Sequence, residues 1–230
     1  MRLAKPQQTH SMMKKTVSNV SQLFGANPGA IAILLMGHRL WRRTSSFVLA
    51  RMLGAPGLHL GPGCRVRGGR HISFGRGIYA ERNLWLEAVT SYRSQSFHPE
   101  ITIGDEVCFS DAVHISSIAS VSIGSRCLFG SKIYVSDHNH GIYSGDAQSS
   151  PEEPPAQRQL GGGGPVVIGE NVWIGDNTVI VGPATIGNGA IIGANSVVRG
   201  VVSANTMVAG APAKPIKCFN LKTGIWERYG

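Results

Sequence analysis

An aliphatic residue recurs at every sixth position between Val166 and Val202. The series, read from position 168, is Ile168, Ile174, Ile180, Ile186, Ile192 and Val198. The next position is mostly glycine, and the position four after each aliphatic residue is small or β-branched: Val172, Thr178, Ala184, Ala190, Ser196 and Val202. A period of six fits neither an α-helix, at 3.6, nor a β-strand, at 2.0. It is typical of a solenoid whose stacked coils share one core.

The hexad pattern predicts one inward aliphatic side chain per hexad and a tight turn at each corner. Stacked coils would pair as parallel strands about 4.8 Å apart. We expect the glycine to relax the corner, because it accepts backbone angles that a side chain resists. Less regular hexads precede the ladder and predict six or seven turns in all: Leu60, Val66, Ile72; Ile103, Phe109, Ile115; and Ile123, Phe129, Val135. The stretch from Leu84 to Phe97 is interpreted as an edge or corner insertion.

The repeat resembles that of the hexapeptide-repeat acyltransferases, and the segment from Asn171 to Gly175, Asn-Val-Trp-Ile-Gly, matches a recurrent motif of that family. The similarity covers most of residues 100–217. The sequence around His138, Ser-Asp-His-Asn-His-Gly, is similar to the maltose/galactoside-type and polysaccharide O-acetyltransferase branch. The resemblance implies an all-β fold, a left-handed parallel β-helix of three-hexad coils. The handedness comes from the resemblance alone.

Three segments are expected: a partly helical N-terminal appendage over residues 1–57, the β-helix over 58–217 with a large loop at 137–165, and a C-terminal cap or tail over 218–230. Apolar residues from Ala30 to Leu53 recur at helical spacing, and a Gly-Ala-Pro-Gly segment ends the pattern. The apolar run from Ala30 to Met36 is far shorter than the roughly 20 residues of a membrane span. No convincing secretory signal is found.

Charge is unevenly distributed along the chain. Residues 1–93 hold 14 Lys and Arg against two Glu, a net +12, whereas residues 94–230 hold 8 basic against 11 acidic residues, a net −3. Two interpretations of the N-terminal segment stay open. It is either a helical cap on the first coil or a basic amphipathic helix in peripheral contact with the inner face of a membrane.

The long loop begins with the densest polar cluster of the chain, Asp137-His138-Asn139-His140. The family resemblance implies that His138 is the general base. Imidazole suits that role because its ordinary pKa is about 6.5, and Asp137 or a backbone carbonyl could fix its tautomer. His140 is the alternative base, and Asp137, Asn139 and His140 are also expected to bind the acceptor. A structural Asx-turn is the competing explanation of the cluster.

The same resemblance implies that acetyl-CoA is the acyl donor and lies in a groove between two subunits. The expected cofactor-binding residues are Trp173, Asp176, Ala194, Arg199 and Lys214. Trp173 would wall the acetyl and pantetheine end, and the two basic side chains suit the phosphates of the nucleotide end.

A zinc site of the gamma-type carbonic anhydrase kind is disfavoured. His114, His138 and His140 lack that family's ligand spacing, so no metal is expected. No P-loop, dinucleotide or nucleic-acid motif is present, and no nucleic acid is expected as a partner. The four cysteines, without C-x-x-C pairing, favour reduced thiols and the cytoplasm.

Together these observations predict an acetyl-CoA-dependent O-acetyltransferase that acts on a sugar hydroxyl in surface polysaccharide or lipopolysaccharide biosynthesis. Two alternatives are kept: an N-acyltransferase of an amino sugar nucleotide, and a non-catalytic β-helix that binds or scaffolds. The resemblance also implies a homotrimer with active sites between subunits.

Overall fold

The computed structural model describes residues 24–230. One long helix, α1, spans Gly29–Met52, and short 3-10 turns occur at Gly69–His71 and Pro155–Gln157. The remaining elements are strands, in chain order β1 (His59–Leu60), β2 (Arg65–Arg67), β3 (Ile72–Phe74), β4 (Tyr79–Ala80), β5 (Trp85–Ala88), β6 (Ser91–Tyr92), β7 (Gln95–Ser96), β8 (Glu100–Ile103), β9 (Cys108–Phe109), β10 (His114–Ser117), β11 (Ser120–Ile123), β12 (Leu128–Phe129), β13 (Tyr134–Ser136), β14 (Asn139–His140), β15 (Leu160–Gly161), β16 (Val166–Ile168), β17 (Trp173–Ile174), β18 (Val179–Ile186), β19 (Ile191–Ile192), β20 (Val197–Val202), β21 (Thr206–Ala209), β22 (Lys214–Asn220) and β23 (Ile225–Arg228).

The strands wind into a coil with three faces. The first face is a nine-stranded sheet in the order β1-β4-β9-β12-β17-β19-β21-β22-β23, parallel except for the last two strands. The second and third faces belong to one ten-stranded sheet, because β18 is long enough to run along both. Leaving β22 and β23 aside, the first face holds seven rungs, in agreement with the six or seven turns predicted.

The hexad positions form the core, as predicted. The six ladder aliphatics from Ile168 to Val198 are each at most 1% exposed, and the small residues at the second inward position, from Val172 to Val202, are at most 7% exposed. Two aromatic rings in neighbouring coils, Phe109 and Phe129, pack with centroids 4.8 Å apart. One continuous apolar column therefore runs through the coils, and the all-β parallel β-helix expected from the sequence is confirmed.

The corner glycines have a different role from the one predicted. Gly169 and Gly175, which follow the inward aliphatics, do not have positive φ. The left-handed conformation falls two residues later, at Asn171 and Asn177. A Cβ on Gly175 would lie 2.6 Å from the backbone nitrogen of Ala194 in the next coil. Glycine is required there because consecutive corners stack too closely for a side chain.

The predicted insertion is shorter than expected. Leu84, Leu86 and Ala88 are all buried, and β5 pairs in parallel with β2 and β10, so this stretch is part of the coil. Only the antiparallel hairpin of β6 and β7 leaves it. The hydrophobic residues of this stretch did not show, in the sequence alone, where β5 ends and the hairpin of β6 and β7 begins.

The chain divides into two compact units at the boundary between Ser45 and Ser46. In the second unit, the Ser46 hydroxyl lies 3.3 Å from both the backbone nitrogen and the oxygen of Leu60, and Ala50 and Leu53 pack against the core. The last turns of α1 therefore belong to this unit. None of the helices in the described range is long and apolar enough to cross a membrane.

A C-terminal hairpin covers the last coil. The β22 strand pairs antiparallel with β21, and β23 pairs antiparallel with β22. The backbone edge that the solenoid would otherwise leave open is thereby paired within the chain, which protects it from association with other chains.

Candidate active site

The long loop leaves the coil at the corner between the second and third faces, after β13, and returns at β16. Its two ends are in contact, because β14 and β15 pair antiparallel and the Gly164 N–H donates to the Asp137 carbonyl at 2.9 Å. A Cβ on Gly163 would lie 2.0 Å from that same carbonyl oxygen. The glycine run from 161 to 164 thus allows close backbone packing beside the polar cluster.

The β6–β7 hairpin holds the loop from an earlier coil. The Gln95 side-chain amide donates to the Leu160 carbonyl at 3.1 Å and accepts from the Leu160 N–H at 2.8 Å. The Tyr92 hydroxyl donates to the Ala156 carbonyl at 2.7 Å. These contacts give the loop a defined position, and no sequence signal marked the two side chains.

The Asp137 carboxylate is anchored on the neighbouring coil. It accepts hydrogen bonds from the Ser117 hydroxyl at 2.6 Å and from the backbone N–H groups of residues 118, 119 and 120 at 2.9, 2.8 and 2.7 Å. These consecutive N–H groups form a concave nest for an anion. Burial acts to raise the pKa of Asp137, but the hydrogen bonds from His138, Ser117 and the backbone outweigh it and lower the pKa below the ordinary value. The carboxylate is therefore ionised at neutral pH.

The imidazole of His138 lies against this carboxylate. Its Nδ1 is 2.9 Å from Asp137 Oδ1 and 3.3 Å from the Ser136 hydroxyl, and the residue is only 8% exposed. An ionised carboxylate at Nδ1 favours the tautomer that carries its proton there, an assignment that follows from the hydrogen-bond network. The Nε2 atom has no hydrogen-bond partner among residues 24–230. Its lone pair is free to accept a proton.

The other polar residues of the cluster have separate roles. Asn139 donates from Nδ2 to the Gly162 carbonyl at 3.3 Å, and His140 is exposed with its Nδ1 3.4 Å from the Tyr92 hydroxyl. The side chain of Asp137 is fully buried and its oxygens are occupied, so it cannot contact an acceptor in this structure. The geometry therefore favours the orienting role of Asp137 over acceptor binding. Its burial against the coil corner could not be seen in the sequence.

His114 lies on β10, in the second face. Its ring stacks on Trp85 with centroids 4.0 Å apart and planes 8° apart. Burial lowers its pKa and outweighs the opposing effect of Glu87. Within the part of the chain that the structure describes, no group of three or more His, Cys, Asp or Glu side chains could hold a metal ion.

The expected cofactor residues lie towards the C-terminal coils. Trp173 begins a rung of the first face and is 51% exposed. Asp176 and Ala194 occupy stacked corners after the first face, where the Asn195 N–H donates to the Asp176 carbonyl at 2.8 Å and the Asp176 side chain accepts from Ser131 N–H at 2.7 Å.

Both basic candidates, Arg199 on β20 and Lys214 on β22, are exposed. His138 lies at the corner after the second face, whereas Trp173 precedes the corner after the first. No hydrogen bond, ion pair or ring contact of the described residues joins these two side chains. Within a single chain, therefore, the candidate base and Trp173 are not in contact.

Residues 165–200 match the family described as bacterial transferase hexapeptide (six repeats). A protein of Escherichia coli (strain K12), provisionally named lipopolysaccharide biosynthesis O-acetyl transferase WbbJ, is 42% identical over 166 residues. That alignment covers 72% of this chain and 81% of WbbJ.

The fold is similar to crystal structures of AntD, an N-acyltransferase from Bacillus cereus. One variant in complex with dTDP-4-amino-4,6-dideoxyglucose and coenzyme A has a TM-score of 0.55 at 19% identity, over 74% of this chain and 84% of that chain. Another, with dTDP and coenzyme A, has a TM-score of 0.58 at 19% identity, over 74% and 85%. These likenesses concern the fold. With the hexad core and the extended match to WbbJ, they establish that the chain belongs to the hexapeptide-repeat transferases and is an acyltransferase with a left-handed parallel β-helix.

Proposed function

We propose that this protein transfers the acetyl group of acetyl-CoA to a sugar hydroxyl in the biosynthesis of lipopolysaccharide or another surface polysaccharide. The 42% identity to a protein provisionally named as a lipopolysaccharide O-acetyl transferase supports the reaction and the acceptor class. The observation that carries the chemistry is the anchored Asp137 carboxylate at Nδ1 of His138. This contact leaves Nε2 of His138 available as a base beside the long loop.

In the proposed reaction, His138 Nε2 takes the proton of the acceptor hydroxyl as the hydroxyl oxygen attacks the thioester carbonyl carbon. The carbon–sulfur bond then breaks, the acetyl group stays on the sugar oxygen, and the thiolate of coenzyme A receives the proton from the imidazolium. No acyl-enzyme forms. Asp137 stabilises the imidazolium, and positioned proton removal of this kind contributes about 10²–10⁴-fold to the rate.

The acceptor would enter beside the loop, with Asn139 and His140 as its binding residues. The donor would lie along Trp173, Asp176 and Ala194, with its phosphates near Arg199 and Lys214. Exposed Arg and Lys side chains suit phosphate groups. The structurally similar AntD proteins were crystallised with coenzyme A, which agrees with an acyl-CoA donor. No metal takes part in this scheme, so a chelator should leave turnover unchanged.

We propose a homotrimer in which the donor groove lies between subunits. The support is the separation of His138 from Trp173 at different corners of one coil, because a second copy is then needed to complete the site. Light scattering at micromolar concentration should give three times the chain mass, and a monomeric mass would contradict the assembly. The catalytic unit would be residues 58–217, with residues 1–57 as an appendage.

We place the enzyme in the cytoplasm, with its basic N-terminal segment at the inner face of the membrane. Three cysteines, Cys108, Cys127 and Cys218, carry free thiols, which suits a reducing compartment.

N-acylation of an amino sugar nucleotide is the competing reaction on this scaffold. It is distinguished by incubating the enzyme with acetyl-CoA and a panel of hydroxyl and amino sugars while free thiol is measured. Thiol release with hydroxyl sugars alone supports O-acetylation. Release only with amino sugars would contradict it.

His138→Ala tests the proposed base directly. Turnover should fall by roughly 10²–10⁴-fold while acetyl-CoA affinity, measured by calorimetry, stays nearly unchanged, because the imidazole acts on the acceptor proton. His98→Ala, which alters an exposed histidine outside the loop, is the matched control and should retain activity.

Two further variants separate the roles of the other candidates. Trp173→Ala should weaken acetyl-CoA binding first, and His140→Ala should raise the acceptor KM more than it lowers kcat. Near-normal turnover of an intact His138→Ala trimer would exclude His138 and make His140 the first alternative.

A further inference from the structure

Helix α1 presents a wide apolar surface to solvent. Ten of the large apolar side chains that the structure describes on α1 are exposed. Three of them, Ile31, Leu35 and Leu49, lie apart, and seven lie in two rows: Ile33, Met36, Leu40 and Phe47 form one, and Leu34, Val48 and Met52 form the other. Each of these seven is between 40% and 76% exposed. At about 100° per residue the rows are adjacent, since members of a row recur after one or two turns. The other side of the helix is mixed, because Ala32 and Ser46 are buried there whereas Leu35 is 41% exposed. The two adjacent rows form one continuous apolar face.

The sequence around this face carries only positive charge. The helix contains Arg39, Arg42, Arg43 and Arg51, and no Asp or Glu occurs before Glu81. Two copies of such a helix would repel each other, and they have no acidic residues with which to form the interhelical ion pairs of a coiled coil. A surface with an apolar interior and anionic headgroups complements both the apolar face and the positive charge of the helix.

We propose that α1 docks on an anionic phospholipid surface, with the face formed by Ile33, Leu34, Met36, Leu40, Phe47, Val48 and Met52 buried at the boundary between headgroups and acyl chains. The helix lies along the surface and does not span it. The arginines attract the headgroups, and the apolar rows supply the burial that holds the helix there. This inference develops the placement proposed above and is independent of acetyl transfer.

The test is sedimentation of the full-length protein with sucrose-loaded vesicles, in the absence of acetyl-CoA and sugar. The protein should pellet with vesicles that contain phosphatidylglycerol and remain in solution with phosphatidylcholine alone. Added salt should weaken binding because the attraction is partly electrostatic. Replacing Arg42 and Arg43 by Gln should weaken it in the same direction.

A combined Ile33→Ser, Leu40→Ser and Phe47→Ser variant isolates the apolar contribution, with an expected loss of about tenfold or more in vesicle affinity. Its matched control is Leu221→Ser with Ile225→Ser, which alters residues that are 78% and 57% exposed in the C-terminal hairpin. The control should bind as the parent protein does. Circular dichroism verifies that both variants are folded.

Three outcomes would overturn the proposal: the parent protein remains in solution with phosphatidylglycerol vesicles, the triple variant binds them as well as the parent does, or the triple variant changes the oligomeric mass measured by light scattering. The last would assign the face to a second copy of the chain. Because no step of the assay involves acetyl transfer, failure here leaves the proposed reaction untouched, and loss of the reaction leaves this result valid.

Discussion

The Asp137 carboxylate accepts four hydrogen bonds from one corner of the preceding coil. Its Oδ1 atom also lies 2.9 Å from Nδ1 of His138. The imidazole therefore takes its position from the solenoid, although it is carried on a loop. Ser136 adds to this, since its hydroxyl donates to the His138 carbonyl at 2.9 Å. A residue held on both sides in this way is preoriented for proton transfer.

Asp137→Asn should lower kcat by roughly 10²–10⁴-fold and destabilise the fold by about 1–3 kcal/mol. The amide keeps the shape but loses the charge, and its NH₂ group cannot accept from the N–H nest. Steady-state kinetics and urea unfolding measure the two effects. Asp111→Asn, the same change at an exposed ion pair with Arg82, should leave kcat unchanged. Equal losses in both variants would contradict a specific role for Asp137.

Acid should remove the contribution of the Asp137 carboxylate to the stability of the fold. Because its pKa is lowered in the folded protein, Asp137 contributes stability that is fully present above the ordinary Asp value of about 3.9 and is lost as pH falls towards the folded value. The difference in unfolding free energy between the parent and Asp137→Asn should therefore shrink below about pH 4. A difference that stays constant with pH would show that folding does not lower the pKa of Asp137.

At the level of elements, the coil corners limit which residues the chain can accept. The position after each inward aliphatic faces the backbone of the next coil, so its requirement for glycine is steric. A Cβ on Gly124 would lie 2.6 Å from the carbonyl carbon of Gly169 and 2.7 Å from the nitrogen of Glu170. Backbone atoms cannot swing aside as a long side chain can, so adjacent coils would have to separate.

Gly124→Ala should consequently destabilise the β-helix by about 1–3 kcal/mol, the usual cost of forcing extra volume into a packed site. The measurement is chemical unfolding followed by circular dichroism. Gly37→Ala is the matched control. A Cβ there meets nothing within 4 Å, and alanine is the better helix former, so the main transition should not shift. If Gly124→Ala unfolds like the parent protein, the corners are looser than the structure indicates.

On the scale of the whole molecule, the C-terminal hairpin decides how the solenoid ends. The β21 strand has β19 on one side and β22 on the other, so its backbone groups are paired within the chain. Exposed apolar residues remain on the hairpin itself, among them Leu221, which precedes β23. The cap thus protects the sheet edge while its outer surface stays in solvent.

Deletion of residues 214–230 should leave the coils folded but promote association through the exposed β21 edge. Size-exclusion chromatography with light scattering should show species larger than those of the full chain, increasing with protein concentration. Circular dichroism should retain the β signal. A truncated chain with the parent mass at all concentrations would mean that β21 needs no cover.

The hexad core, the approximate number of turns and the position of the long loop were predictable from sequence. Each of these features follows from the six-residue period, which a few neighbouring residues reveal. Ile168 and Ile174 point inward because side chains alternate between the inside and the outside of the coil, and the corners set the length of each coil. The polar cluster at 137–140 could also be found, since it interrupts that period. The family to which the chain belongs followed from the same residues.

The tertiary structure decided what those residues do. Asp137 meets residues 117–120 only because consecutive coils stack in register, and Gln95 meets Leu160 across 65 positions of chain. Such contacts depend on how separate segments pack, and no local pattern records them. The corner glycines belong to the same class, because their neighbours lie one coil away. Local periodicity thus determined the coil, and the stacking of coils determined the ionised carboxylate, the oriented imidazole and the closed loop.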